Sequence, residues 1–436
     1  MNTKGKELFF NRCKEYFDKN YDEFINLLNN KPSSGFFLNE KKADREKIFS
    51  IVDFSYKSSK LTDKSFYCLD EAIGKTKAYE LGIIYPQDIE SSISANFVDT
   101  LNVKLAIDLC AAPGGKSINI LNRLSNDSLL ISNDISYKRV SILASNLERL
   151  GLDNTIITCL KPEYFVDNFS SIFDLVILDA PCSGEGMIRK YSEILDDYNI
   201  GNIESLASIQ KELLENAYCL LKKGGQLIYS TCTYAFEEDE NQIEDFLKRH
   251  EDIELVDIDI DDINSSKLKG TIKLSFLNNT EGQFIALMRK TDGDNGVVSY
   301  KKTVKNKIVE KFINENLLIN NYYLYSAENR FYLSFIPLIN INKHFLNEGI
   351  YLGELKKDRF EPSFSLYRAN SLKGKYKKIY ELKDSEYDLY VSGNELKSNL
   401  SDGYYLITYK DLSLGYVKCS KGSMKNKYPK GLRRMV

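Results

Sequence analysis

Two cysteines stand where a chain could use them as nucleophiles. Cys182 lies in Asp179-Ala-Pro-Cys-Ser-Gly-Glu-Gly186 and Cys232 in Tyr229-Ser-Thr-Cys-Thr-Tyr234. Each follows a strand-forming run, Phe173 to Leu178 and Gln226 to Ser230, so each thiol is expected at the C-terminal end of a strand. A thiolate adds readily to an electron-poor ring carbon. Cytosolic cysteines more often end as small buried apolar groups, so the flanking residues must carry the functional reading. Asp179, at the end of the first of these strands, could hydrogen-bond a substrate and stabilise charge that develops during thiol addition. The two histidines, His250 and His344, lie in no Gly-rich or Cys-bearing motif, so histidine acid/base chemistry is not expected.

A second constellation is Asp108-Leu-Cys-Ala-Ala-Pro-Gly-Gly-Lys-Ser117, placed after a strand and before a helix, where an open α/β sheet forms its ligand crevice. Its small residues, Ala111, Ala112, Gly114 and Gly115, let the backbone turn sharply and approach a ligand closely. Asp134 closes the next strand, where a carboxylate would accept hydrogen bonds from a ribose diol, so an adenosine-bearing cofactor is expected.

The elements that must position these groups follow from periodicity. Between 96 and 291, strand-like runs alternate with helix-period segments, the pattern of a doubly wound α/β sheet. Strands are predicted at Leu105–Leu109, Leu129–Ser132, Thr155–Thr158, Phe173–Leu178, Gln226–Ser230, Ile253–Val256 and Gln283–Met288. Packing faces are expected from Val140, Leu143, Leu147 and Leu150, and from Leu206, Ile209, Leu213, Ala217 and Leu220. Fourth and fifth strands beside the first would bring both thiols to the cofactor crevice.

Residues 1–95 read as two short helices, carrying Phe9, Cys13, Tyr16 and Phe17, then Phe24, Leu27 and Leu28, followed by a mixed α/β module with a β-prone run at Ile48 to Phe54. The polar Asp292-Gly-Asp-Asn-Gly296 marks a boundary. Beyond it come a helix at 305–317, an intermediate module over 300–375 and a β-rich module over 376–436.

Composition narrows the class. The 436 residues are 43% hydrophobic and 28% charged, which predicts several folded modules rather than disorder. The start lacks a signal-peptide core and no run reaches bilayer length, so a cytoplasmic protein without a membrane partner is expected. Eight cysteines without paired spacing suggest neither a disulfide framework nor a metal site. A net charge of −3 conceals an acidic stretch, Glu251 to Asp262, and a basic one, Lys418 to Arg434, with seven basic residues and no acidic one. The basic run, with Tyr428, suits phosphate neutralisation and base stacking.

The string Asp-Leu-Cys-Ala-Ala-Pro-Gly-Gly-Lys resembles motif I of the Sun-type RNA cytosine-5 methyltransferases, and Asp-Ala-Pro-Cys-Ser-Gly and Ser-Thr-Cys-Thr resemble their motifs IV and VI. The resemblance implies a Rossmann-like, seven-stranded class I methyltransferase domain with S-adenosylmethionine as cofactor. It implies cofactor contacts from Cys110, Ala111, Ala112, Pro113, Gly114, Gly115 and Lys116, with Asp134, Arg139 and Asp179. It also implies that the Thr-Cys thiol, Cys232, attacks and that the Pro-Cys thiol, Cys182, assists release. Where relatives often carry an acidic residue after the third strand, this chain has Thr158-Cys-Leu-Lys161.

The chemistry fits the groups. The 5-carbon of cytosine is a feeble nucleophile until a thiol adds to the 6-carbon, after which it can take a methyl group. The base must be unpaired or rotated out of its stack, and the loop Ser183 to Tyr191, with Gly184, Gly186, Arg189, Lys190 and Tyr191, is a candidate to face it. The tail Lys425 to Arg433, with Gly353 and Phe360-Glu-Pro362, resembles that of bacterial RsmF-like members, whose last module is PUA-like and RNA-binding. That implies ribosomal RNA or the small ribosomal subunit as partner, with 16S rRNA as substrate. A transfer RNA methyltransferase and a non-catalytic RNA-binding scaffold stay open. A NAD-dependent dehydrogenase is disfavoured by the absence of Gly-x-Gly-x-x-Gly.

Overall fold

The computed structural model describes residues 3–69, 73–260, 263, 266–343 and 345–434. His344, and Asp261 and Asp262 at the end of the acidic stretch, lie outside the described residues.

The central sheet runs through β1 (Leu105–Asp108), β2 (Leu129–Asn133), β3 (Thr155–Thr158), β4 (Phe173–Asp179), β5 (Leu221–Thr231), β6 (Ile253–Val256), β7 (Ile272–Leu274) and β8 (Gln283–Lys290). Strands β1 to β5 pair in parallel in the order β5, β4, β1, β2, β3, and β8 lies antiparallel against β5. The order reverses between β1 and β4, and the crevice opens at that reversal. These strands are apolar almost throughout because helices cover both faces, a doubly wound arrangement.

Local chemistry sets the helices. Tyr137–Leu150 is capped by Ser136 and ends at Gly151, whose φ of 72° only glycine adopts cheaply. Its buried stripe is Val140, Leu143, Leu147 and Leu150, as the spacing predicts. In Ile200–Leu220 the stripe is turned from the expected one: Leu213, Ala217 and Leu220 are buried, but Ile209 is 44% exposed and Gln210 takes the inner face.

Three findings depart from the expectations. The seven predicted strands do not complete the sheet, because β7 pairs with β8 and β9 (Phe345–Glu348), from the C-terminal part, adds antiparallel to β3. The run Ile48 to Phe54 forms no strand. Asp44 instead caps a short helix, Arg45–Phe49, by accepting the Lys47 N–H, and this local bond wins over β propensity. Finally, the chain ends share a core: Phe36, Leu38, Ile48 and Ile84 pack with Tyr387, Tyr390, Val417 and Met424.

The N-terminal helices Thr3–Phe17 and Tyr21–Leu28 lie over the loops that follow β4 and β5. Phe24 stacks between Phe17 and Phe276, with centroids at 3.8 and 5.0 Å. The C-terminal part carries a four-stranded sheet spanning 323–362 and a five-stranded, strongly paired sheet spanning 379–426. No helix among the described residues is long and apolar enough to cross a membrane.

Candidate active site

The turn after β1 builds one wall of a cavity of about 470 Å³, within the range of small-molecule sites. Cys110, Ala111, Ala112, Pro113, Gly115 and Lys116 line it, with Asp108 and Asp179. The Ala112–Pro113 bond is cis, and Gly114 has φ +124°. A Cβ on Gly115 would lie 2.8 Å from Gln87 Nε2, so a larger residue there would displace the Gln87 side chain. Asp108 is fully buried; its Oδ2 accepts the Ser117 hydroxyl at 2.7 Å, and burial raises its pKa to about 7. Burial and the carboxylates around it push the Cys110 thiol far above its ordinary value, and its side chain lines the cavity wall.

Three polar atoms here lack a partner among the described residues: Asp108 Oδ1 and both amide atoms of Gln87. Buried polar atoms are costly unless bonded, so a glycine-floored cavity with orphaned donors and acceptors fits a polar, nucleoside-like ligand. Gln87 was not singled out in the sequence. Its signal is Tyr85-Pro-Gln-Asp88, immediately before the catalytic region.

Asp134 and Arg139 do not line this cavity. Asp134 accepts the Ser136 N–H at 2.9 Å and pairs with Arg139 at 3.2 Å, while the Arg139 guanidinium also bonds the Ala112 carbonyl. The acid and the base expected to face a ligand therefore engage each other and the back of the turn.

At the end of β4, Asp179 Oδ1 receives Lys116 Nζ at 2.7 Å and the Ser230 hydroxyl at 2.9 Å; Oδ2 takes neither. Three residues on, the Cys182 sulfur lies 3.3 Å from that of Cys232, and it also accepts the Cys232 N–H at 3.3 Å. The hydrogen bond to Cys232, and then burial, hold the Cys182 thiol well above its ordinary pKa. The expectation that both thiols face the cofactor crevice is corrected: neither lines the first cavity, and Cys182 lines a neighbouring one of about 550 Å³ with Ser183, Asn199 and Ile203.

Two carboxylates missed in the sequence tie the thiol loops together. Glu185 accepts the Tyr198 hydroxyl, the Thr233 hydroxyl at 3.1 Å and the Tyr234 N–H at 2.9 Å. Glu238 accepts the Ser183 N–H at 2.9 Å and the Gln210 amide at 2.8 Å, and burial lifts its pKa to about 7. Gly186 donates to the Cys232 carbonyl at 2.9 Å, and its Cα faces Gly282 so closely that an added Cβ would sit 2.4 Å away.

The loop 183–191 is not uniformly free to meet a substrate. Arg189 is committed to buried Glu281 at 2.5 Å and lies over Phe276, and Lys190 pairs with Asp88. Tyr191, 51% exposed, remains at the cavity wall. In the tail, Tyr428 is only 4% exposed and packs at a right angle to Phe364, so its expected role as a stacking platform is corrected. Among the described residues no cluster of three or more His, Cys, Asp or Glu could hold a metal.

Comparison with known proteins is specific. Residues 96–289 match the family model "16S rRNA methyltransferase RsmB/F", and residues 377–434 match "Methyltransferase RsmF PUA domain". A "Ribosomal RNA small subunit methyltransferase F" from Shewanella piezotolerans is 28% identical over 396 residues, covering 83% of this chain and 81% of that protein. One of the same name from Vibrio cholerae is 37% identical over 170 residues, 38% of this chain and 36% of that protein. The alignments to the Aliivibrio fischeri relatives span about half the length of either chain. Among solved structures, a "Methyltransferase Homolog Protein" from Pyrococcus horikoshii superposes with a TM-score of 0.57 at 26% identity, covering 65% of this chain and 94% of that one. "NSun6 from Pyrococcus horikoshii with SFG" gives 0.59 at 19% identity, over 65% and 98%, a likeness of fold.

Proposed function

We propose that this chain, whose residues 96–289 match the RsmB/F family of 16S rRNA methyltransferases, belongs to that family and methylates the 5-carbon of a cytosine in that RNA with Cys232 as covalent nucleophile. The observation that carries the reading is the convergence, at the ends of the adjacent strands β4 and β5, of an Asp179–Lys116 pair and a Cys182–Cys232 thiol pair.

The cavity beside the Ala111–Gly115 turn is the site we assign to S-adenosylmethionine, which when bound supplies an electrophilic methyl group. Toward it the chain offers Asp108, the Gln87 amide, the backbone of the turn and Asp179. Asp134 would reach a ribose only by loosening its pairing with Arg139.

The cytosine chemistry then falls to this chain's own groups. The Cys232 thiol gives up its proton to solvent as its sulfur bonds the 6-carbon, and the ring electron pair moves to the 5-carbon, which as the nucleophile takes the methyl group. Asp179 Oδ2, free of the contacts on Oδ1, accepts from the exocyclic amine, while Lys116 holds the carboxylate in place. Loss of the proton on the 5-carbon restores the ring double bond and expels the Cys232 sulfur. Cys182, in hydrogen-bond contact with that sulfur, is assigned to this step. The basic C-terminal region suits an RNA partner, and a cytoplasmic location fits such a substrate.

The deciding experiment is methyl transfer from labelled S-adenosylmethionine to 16S rRNA and to small subunits, with bisulfite sequencing of ribosomal and transfer RNA from cells with and without the protein. One protected cytosine in 16S rRNA, lost with the protein, is expected. A transfer RNA cytosine lost instead would overturn the substrate, and no methyl transfer to any RNA would leave a binding scaffold.

A further inference from the structure

Where the N-terminal module, the helix Tyr137–Leu150 and the C-terminal sheet meet, a cavity of about 530 Å³ opens that plays no part in the chemistry above. Five cations line it, Lys75, Arg149, Arg368, Arg433 and Arg434, against a single carboxylate, Glu80. That carboxylate is already committed: Arg434 donates to its two oxygens at 2.5 and 2.9 Å, and the Tyr387 hydroxyl donates at 2.7 Å.

Arg149 and Arg368 are the unusual members, 6% and 1% exposed. The Arg149 guanidinium carbon lies 3.8 Å from the centre of the Tyr79 ring, and its Nη1 is spent on the carbonyls of Tyr79 and Ile84, at 2.8 and 3.1 Å. Its Nε and Nη2, the two neighbouring donors of one guanidinium edge, have no partner among the described residues. Arg368 gives Nη1 to the carbonyls of Ser413 and Leu414 and Nη2 to those of Glu80 and Arg149; its Nε is likewise unpartnered. Burial, with Arg368 nearby, brings the Arg149 guanidinium down to about 10, so it is still charged at neutral pH. A buried cation without a counter-charge costs several kcal/mol, and a two-donor edge is the geometry that matches two oxygens of one oxyanion.

We infer that this junction cavity is a phosphate-binding site, with the free edge of Arg149 as its fork. The ligand is either a phosphodiester of bound RNA or a free phosphate compound, and only the first source rests on the RNA reading above. With Glu80 committed to Arg434, the cavity stays cationic, which favours a phosphate group over a neutral ligand, and the Tyr79 ring lies against the Arg149 guanidinium.

The test uses the full chain, Arg149→Lys, which keeps the charge and loses the fork, and Lys75→Glu, an exposed position on the same cavity. Inorganic phosphate should raise the wild-type Tm by on the order of 2 °C over chloride at equal ionic strength, at about ten times its Kd. Both variants should lose that rise, and if Arg149→Lys fails to fold, Lys75→Glu carries the comparison. Binding of an RNA oligonucleotide is then measured against salt. A slope of log K on log salt reduced by about 1 in Lys75→Glu, with weaker binding at unchanged slope in Arg149→Lys, identifies an RNA phosphodiester as ligand. An unchanged slope in Lys75→Glu with a lost phosphate response identifies the free compound. No phosphate effect on the wild type, together with unchanged RNA slopes, overturns the site. Methyl transfer by the same preparations reports separately on the catalytic reading.

Discussion

The Cys182 sulfur is held against Cys232 twice over, at 3.3 Å from its sulfur and at 3.3 Å from its backbone nitrogen, although 50 residues separate the two. The contact exists because β4 and β5 pair in parallel with Asp179 opposite Ser230, so two strand ends that are distant in sequence deliver their turns to one place. It makes the thiols an interacting pair, and their substitutions should not be equivalent.

Replacing Cys232 with alanine should lower methyl transfer by more than ~10³-fold and remove any protein–RNA covalent adduct. Replacing Cys182 with alanine should also stop turnover but let an adduct accumulate, visible as a band shifted on a denaturing gel. The opposite pattern would exchange the two roles.

Because the sulfurs touch, the mild thiol oxidant diamide should couple them, taking up the two hydrogens while the disulfide forms. Activity should fall with loss of two titratable thiols and return with dithiothreitol. An oxidised protein that retains full activity would show that neither thiol is required.

Asp179→Asn keeps the shape of the side chain but removes the charge that Lys116 balances at 2.7 Å. A fall in kcat of about 10²–10³-fold is expected from the loss of this stabilising group. The melting temperature should fall as well, because Lys116, 7% exposed, is left without its counter-charge. A change confined to KM would argue that it only binds.

Glu185→Ala should be costly to the fold as well as to the chemistry. Three donors, from Tyr198, Thr233 and Tyr234, converge on this buried carboxylate, and stranding them should cost about 3 kcal/mol in urea unfolding. Unfolding midpoints equal to wild type would show that the loops find other partners.

Glu90 gives a pH signature. It is buried, and burial together with Asp88 raises its pKa from 4.5 to about 8. The folded chain thus keeps a proton that the unfolded chain releases above 4.5. The stability this group contributes is full below that pH and is lost as pH rises towards 8. Glu90→Gln should therefore match the wild type near pH 4.5 and exceed it at pH 8, by on the order of 3 kcal/mol. Parallel stability curves for the two proteins would contradict this assignment.

Much of this was legible beforehand, because strand runs and the turns that follow them are local. All seven predicted strands of the catalytic region are present, and the Asp108–Ser117 turn lies where a strand hands over to a helix. What depends on distant partners was not legible. Glu185 and Glu238 look like ordinary loop acids until the pairing of β4 with β5 brings Thr233 to the one and Ser183 to the other. Arg139 looked free to meet a ligand, but its distance to Asp134 is set by how the helix after β2 starts. Tyr428 sits in a basic tail that reads as exposed, yet the two chain ends pack around it.

The strand Phe345–Glu348 has a bearing on how the molecule can be cut. It supplies the outer neighbour of β3, pairing Glu348 with Ile156 and Phe345 with Thr158, from beyond the polar hinge at 292–296. Covalent segments and cohesive units therefore do not coincide. A protease nick at Gly293 should leave the two fragments co-eluting, whereas expressing the first fragment alone would bare the backbone of β3 and invite self-association.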